Sequence, residues 1–100
     1  MSVLSEILQE EYNRLLSTIS AFEKMEMDLP NGSVVKKRIN GKEYYYRQWR
    51  DADKVKSEYI PQDKHDEISE LVSRRKDIRR QLREMYASKK EFDRVIGKEL

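Results

Sequence analysis

Hydrophobic and polar positions divide the chain into two long helical segments on either side of one short β segment. In both helical segments, apolar residues recur in alternating steps of three and four, the spacing of one face of an amphipathic helix. The first seam consists of Leu8, Tyr12, Leu15, Ile19 and Phe22. The second consists of Ile68, Leu71, Ile78, Leu82, Met85, Phe92 and Ile96, with the basic residues Arg75 and Lys89 at two further positions of the same spacing. The pattern predicts helices over residues 2–28 and 63–98.

Residues 33–60 have a different pattern and are rich in β-branched and aromatic side chains. Asn40-Gly41 separates two such runs, and this dipeptide favours a type I′ hairpin turn because both central residues need a positive φ. A third run follows the polar connection at residues 50–53. The segment therefore predicts a three-stranded antiparallel meander over residues 33–60.

The Asn40-Gly41 turn fixes the register of the first hairpin, and the period of two assigns each side chain to a face. One face carries Val35, Ile39, Tyr44 and Tyr46, and the other carries Val34, Lys36, Arg38, Tyr45, Arg47 and Trp49. A second turn of two or four residues adds Val55 and Tyr59 to the first face and Lys54 and Lys56 to the second. A three-residue turn exchanges them. We favour the first alternative, because it leaves one apolar face to pack on the helices.

The two helices are expected to pair as an antiparallel coiled coil, because the meander returns the chain close to where it left. The predicted fold class is α+β in the order α-β-β-β-α, as a single domain over residues 1–100. If both helices begin at the meander, Phe22 lies near Ile68 and Leu4 near Met85 or Lys89. The second helix then extends beyond the first by about 15 Å. The overhang carries Phe92, Val95, Ile96 and Leu100. Uncovered apolar seams usually mark an interface, so these residues predict a homodimer.

Composition and motifs argue against several classes of protein. The chain has no cysteine, which excludes disulfides and thiolate metal sites. No apolar run approaches the roughly 20 residues of a membrane span, and the acidic N-terminal segment is unlike a signal peptide, so we expect a cytoplasmic protein without membrane contact. His65 stands beside Asp63 and Asp66 as part of an acidic first helical turn. No phosphate loop or catalytic constellation is recognisable, so we expect no enzyme, catalytic residue, metal, cofactor or small-molecule substrate.

The charge is unevenly distributed along the chain. Residues 1–29 have a net charge of −4, residues 30–60 of +4 and residues 61–100 of +2. The meander is thus basic, and we call Lys36, Arg38, Tyr45, Arg47, Trp49, Lys54 and Lys56 the basic-aromatic face. Cations beside aromatic rings suit the phosphates and bases of nucleic acids. The same composition also fits a solvated face whose aromatic rings pack on Lys and Arg stems.

We therefore expect a small non-enzymatic binding protein whose basic-aromatic face contacts nucleic acid or a protein that handles nucleic acid. One alternative is an anti-CRISPR-like inhibitor, encoded by a phage or mobile element, that blocks a host defence complex by direct protein contact. Another is a purely structural dimerisation module.

Two resemblances accompany these expectations. The segments L-P-N-G-S, N-G-K-E-Y-Y-Y-R-Q-W-R and K-V-K-S-E-Y, within residues 29–60, resemble a family of short uncharacterised bacterial and archaeal proteins. That family has the same meander followed by a charged coiled-coil helix, and it implies no activity. Its second turn usually contains a glycine pair, where this chain has Asp51-Ala52.

More loosely, the run from Gly32 to Lys42 resembles the three-stranded arm-site DNA-binding domain of phage and transposon integrases. That resemblance implies DNA contacts at Lys36, Arg38, Tyr45, Arg47 and Trp49. The integrase domains carry one short helix across the sheet, whereas this chain has two long helical segments.

Overall fold

The two predicted helices and three predicted strands form in the expected order, and the fold is α+β. A computed structural model of the protein describes residues 2–99, with side chains placed for residues 2–97. Helix α1 spans Val3–Met27, and strands β1, β2 and β3 span Ser33–Ile39, Lys42–Asp51 and Lys54–Ile60. A short 3-10 helix at Gln62–Lys64 leads into helix α2 at His65–Glu99. Neither α1 nor α2, over its described residues, combines the length and the apolar character that a membrane span requires.

The chain has two compact units, and helix α2 contributes to both. One unit comprises α1 together with α2 from Ile78 onward. The other comprises Asp28–Asp77, and so contains the whole sheet and the beginning of α2. We describe the two units separately.

In the helical unit, side-chain contacts join α1 and α2 at three levels. The pairs are Tyr12 with Asp93 at 2.6 Å, Glu23 with Tyr86 at 2.9 Å and Glu26 with Arg79 at 3.1 Å. As the position on α1 rises, that of its partner on α2 falls, so the two segments run antiparallel. The predicted seams supply the buried residues Ile19, Ile78 and Leu82. The spacing of apolar positions therefore identified the inward side of each helix.

The predicted register of the two helices is wrong. Tyr12 meets Asp93, and Glu23 meets Tyr86, so each position on α1 lies opposite a residue several turns further along α2 than expected. The expectation assumed that both helices begin side by side at the sheet. Instead, the guanidinium of Arg75 donates to the Leu29 carbonyl at 2.8 Å, so the loop after α1 already lies beside the third turn of α2.

This register removes the reason for expecting an uncovered overhang. The ring of Phe92 packs against that of Tyr12, with centroids 6.0 Å apart, and Phe92 and Ile96 are half-buried. Val95 stays exposed beside a groove of about 240 Å³ that Leu8 and Phe92 also line. Leu100 lies outside the described residues. The homodimer itself stays a prediction.

In the sheet unit, the predicted strand register is confirmed for both hairpins. The strands pair in the order β1-β2-β3, with Ile39 opposite Lys42 in the first hairpin. The second turn has two residues, Ala52-Asp53, so that Asp51 stands opposite Lys54 and Tyr46 opposite Tyr59. Val55 and Tyr59 thus share a face with Tyr44 and Tyr46, as expected. We call this side of the sheet the tyrosine face. It consists of Ser33, Val35, Lys37, Ile39, Lys42, Tyr44, Tyr46, Gln48, Arg50, Val55, Ser57 and Tyr59.

The prediction of which face packs on a helix is wrong, because the basic-aromatic face, and not the tyrosine face, contacts the start of α2. The ring centroid of Tyr45, on the basic-aromatic face, lies 3.9 Å from that of His65 at the start of α2. Ile60, which pairs with Tyr45, is only 2% exposed. By contrast, Ile39, Val55 and Tyr59 of the tyrosine face are 44%, 61% and 51% exposed. Only four residues separate Ile60 from His65, so α2 begins beside the Tyr45–Ile60 pair, on the basic-aromatic side of the sheet.

Both hairpin turns use left-handed backbone, but only the first has the residues suited to it. Asn40 and Gly41 have φ values of 51° and 80°, as a type I′ turn requires. In the second turn Ala52 has a φ of 56°, a region that costs a residue with a Cβ roughly 1–2 kcal/mol.

Replacing Ala52 with glycine is therefore expected to stabilise the protein. The Ala52→Gly variant should gain about 0.5–1 kcal/mol in free energy of unfolding. This gain is the relieved backbone strain minus the entropy that the more flexible glycine loses on folding. Urea denaturation measures it. Gly41→Ala is the matched control: its added Cβ meets nothing within 4 Å, so it should destabilise through backbone conformation alone. If the Ala52→Gly variant is no more stable than the wild type, the backbone strain inferred at Ala52 is contradicted.

The helical unit is expected to lose stability at alkaline pH. The hydrogen bond to Asp93 raises the pKa of Tyr12, and the hydrogen bond to Glu23 raises the pKa of Tyr86. A raised pKa in the folded state means that each bond stabilises fully below pH 10 and is lost as the pH rises through that pKa.

The Tyr12→Phe/Tyr86→Phe variant should unfold at lower urea concentration than the wild type at pH 8, with the difference shrinking by pH 11. Tyr59→Phe, which leaves the helical unit unchanged, is the control for general alkaline effects. A constant difference between variant and wild type across this range would contradict the role of the two hydroxyl groups.

Candidate functional site on the sheet

The aromatic side chains of the basic-aromatic face are engaged within the sheet unit. Tyr45 packs on His65, as described above. The Arg47 guanidinium lies over the Trp49 ring, with Cζ 4.0 Å from the ring centroid. Its Nη1 donates to both the carbonyl oxygen and the Oδ1 of Asn31 at 3.0 Å, and the Arg47 side chain is 17% exposed. These three predicted contact residues therefore stabilise the unit itself.

The cations of the same face stand beside acidic residues. Lys36 Nζ lies 3.6 Å from the Glu43 carboxylate, and Lys56 Nζ lies 2.7 Å from that of Asp51. A third acid, Glu58, lies 3.4 Å from Arg47. Arg38 and Lys54 are exposed. Four of the five predicted cations are thus exposed, and two of these four, Lys36 and Lys56, stand beside acids.

The tyrosine face presents three aromatic rings, of which Tyr59 is exposed and Tyr44 and Tyr46 are half-exposed. Tyr59 contacts Tyr44 and Tyr46 edge to face, with ring centroids 6.3 and 5.8 Å apart. Such contacts hold the rings in defined orientations. The Lys37 ammonium lies 4.8 Å from the centre of the Tyr46 ring, close enough for a cation–π interaction. The face therefore combines ordered rings with a cation already placed beside them.

The tyrosine face also carries positive charge without any acid among its strand residues. Its cations are Lys37, Lys42 and Arg50, whereas Glu43, Asp51 and Glu58 all alternate to the opposite side of the sheet. Strand pairing places these three acids among the five cations of the basic-aromatic face, so acids reduce the positive charge on that side and none does so on the tyrosine face. Sequence reasoning missed Lys37, Lys42 and Arg50 because it named only the apolar and aromatic residues of this face and assigned no acid to either face.

The Leu-Pro-Asn-Gly-Ser segment proves to be structural. Arg75 donates to the carbonyl of Leu29, and Arg47 binds Asn31. Gly32 has a φ of 92°, and a Cβ at this position would lie 2.0 Å from the Gln48 carbonyl oxygen. Only glycine permits this close approach to β2. The segment therefore fastens the start of the sheet to the beginning of α2.

His65 has a packing role that its sequence context did not reveal. Besides contacting Tyr45, its Nδ1 lies 3.1 Å from the Asp66 carboxylate and its Nε2 lies 3.4 Å from the Ser69 hydroxyl. Within the part of the chain that the structure describes, no three His, Asp or Glu side chains are grouped as metal ligands. The distinctive surface of the molecule is thus the aromatic and cationic side of its sheet.

Comparison with known proteins places the chain in a family without assigning it an activity. Searches of curated proteins and of solved structures found no match. A family model described as "Domain of unknown function (DUF6788)" matches residues 2–70, which include α1, the sheet and the first turns of α2. The family match agrees with the expected resemblance to an uncharacterised family. It does not test the sequence motif of residues 29–60 or the resemblance to integrases. Because the match covers more than half of its length, the chain belongs to the DUF6788 family.

Proposed function

We propose that this protein is a non-enzymatic module that binds nucleic acid through its three-stranded sheet. The observation that carries the proposal is the tyrosine face, where three exposed or half-exposed rings accompany three cations and no strand acid. Backbone phosphates are bound by Lys and Arg, and nucleobases stack on aromatic rings, so nucleic acids are ligands that use both features. The exposed cations of the basic-aromatic face, Arg38 and Lys54, supply further positive charge at the strand ends.

A protein partner is the alternative function. Tyr and Arg also dominate protein–protein interfaces, so an inhibitor of a host defence complex would use the same side chains. Charge favours the nucleic acid, because residues 30–60 contain eight Lys and Arg against four acids. Such an excess attracts polyanions and makes their binding depend on salt concentration.

Nucleic-acid binding is expected to weaken steeply with salt. For three phosphate contacts, affinity should fall about 20-fold to 40-fold between 50 and 200 mM salt. Fluorescence anisotropy with labelled single-stranded and duplex oligonucleotides measures it. Arg38→Ala removes a cation from the basic-aromatic face, and Arg50→Ala removes one from the tyrosine face. Both side chains are exposed, so each variant should still fold. Arg47→Ala is unsuitable, because Arg47 holds the Asn31 loop.

Two results would contradict this proposal. One is the absence of binding to any oligonucleotide at low salt. The other is binding that ignores salt and is unchanged in both arginine variants. Either would favour a protein partner instead.

Self-association is a second candidate function, favoured by the helical unit. Val3, Leu4 and Ile7 near the start of α1 and Val95 near the end of α2 are exposed apolar residues. Residues 1–29 are net acidic, and residues 61–100 are net basic, so α1 of one copy complements α2 of another. We propose that the two helices form a coiled coil and that two copies associate through this end of it.

Light scattering and sedimentation at tens of micromolar test this candidate. The wild type should have twice the monomer mass, and Leu4→Lys/Ile7→Lys should reduce it to the monomer, because two charges would enter the apolar contact. Ser17→Lys/Ser20→Lys adds the same charge to exposed positions on another side of α1 and should leave the dimer intact. A monomeric wild type would disprove self-association.

A further inference from the structure

We infer that the tyrosine face, and not the basic-aromatic face, is the contact surface, and that its ligand is single-stranded nucleic acid. The inference rests on the proposed function and makes it more specific, because it names both the side of the sheet and the form of the nucleic acid.

Accessible stacking area is the first reason. Tyr59 is 51% exposed, although edge-to-face contacts with Tyr44 and Tyr46 hold it in place. A ring whose orientation is already fixed loses little conformational entropy on binding. On the opposite side of the sheet, Tyr45 is stacked on His65, and the Trp49 ring is covered by Arg47. A base therefore has a ring to stack on at the tyrosine face and would have to displace existing contacts at the other.

The placement of charge is the second reason. Lys42 and Arg50 lie at opposite ends of β2, about 26 Å apart along the strand at the usual rise per residue, and Lys37 lies between them on β1. The cations thus flank the tyrosines on both sides. Phosphates on either side of stacked bases would each meet a cation, and no carboxylate of the strands would repel them. This arrangement suits a short stretch of backbone that runs across the face.

The apolar side chains of the face distinguish a single strand from a duplex. Bases in a duplex are already stacked on both sides, so a duplex presents its phosphates outward and offers no free base surface to Tyr59. It would lay charged backbone against Ile39 and Val55, which are exposed apolar residues. The unpaired bases of a single strand instead present flat, weakly polar surfaces that can cover these residues and the rings together.

The test compares dT and rU 12-mers with a 12-base-pair duplex at 50 mM salt, using fluorescence anisotropy. We expect the single strands to bind at least tenfold more tightly than the duplex. Tyr59→Leu should weaken single-strand binding about 5-fold to 150-fold, the range of one base–aromatic stack. Tyr59→Phe keeps the ring and should stay within about twofold of the wild type.

The charges provide an independent comparison of the two faces. Lys42→Ala/Arg50→Ala removes two exposed cations from the tyrosine face, and Arg38→Ala/Lys54→Ala removes two from the basic-aromatic face. The first variant should weaken single-strand binding at least tenfold and the second less than threefold. Circular dichroism confirms that each variant is folded.

The possible outcomes separate the inference from the proposed function. Equal affinity for duplex and single strand, or Tyr59→Leu binding as the wild type does, would overturn the inference while nucleic-acid binding stands. The inference would also be overturned if Arg38→Ala/Lys54→Ala lost more affinity for the single strands than Lys42→Ala/Arg50→Ala does. No binding of any of the three oligonucleotides by the wild type would overturn both.

Discussion

The start of a helix can pack on only one side of a three-stranded sheet, and the side on which α2 begins decides which aromatic rings of the sheet stay available. The contact between Tyr45 and His65 lies at the centre of this choice, with the buried Ile60 beside it. Tyr45 packs on α2, Arg47 binds the Asn31 loop and lies over Trp49, and all three side chains therefore make contacts within the unit. On the other side, Tyr59 is exposed and Tyr44 and Tyr46 are half-exposed.

The loop between α1 and β1 reinforces this arrangement from the other end of the sheet. Arg47 reaches from β2 to Asn31, and Arg75 reaches from α2 to Leu29, so both arginines donate to backbone carbonyls of this loop. Gly32 allows the loop to approach β2 more closely than any residue with a Cβ could. The most distinctive motif of the chain is accordingly architectural, and Lys37, Lys42 and Arg50 lie on the side of the sheet that has no strand acid.

Local chemistry explains which parts of the fold were predictable. The Asn40-Gly41 turn sets one register, and side-chain alternation then determines the face of every residue, including Val55 and Tyr59 after the second turn. The spacing of apolar residues likewise identified Ile19, Ile78 and Leu82 as inward positions. How far two helices slide along each other, however, depends on contacts between distant segments, such as Arg75 with Leu29. The choice of the packed face was equally hidden, because both faces mix aromatic rings with cations and a single connection, residues 61–64, determines where α2 begins.

Mapping the contact surface in solution tests the central claim most directly. In a two-dimensional NMR titration of the protein with a dT 12-mer, backbone amides of Lys37, Tyr44, Tyr46 and Tyr59 and the aromatic resonances of Tyr59 should shift. The Trp49 indole and the ring signals of Tyr45 and His65 should stay nearly unchanged, because their packing persists in the complex. Large shifts confined to Trp49, Tyr45 and Arg38 would contradict the account, since they would mean that the ligand binds the basic-aromatic face.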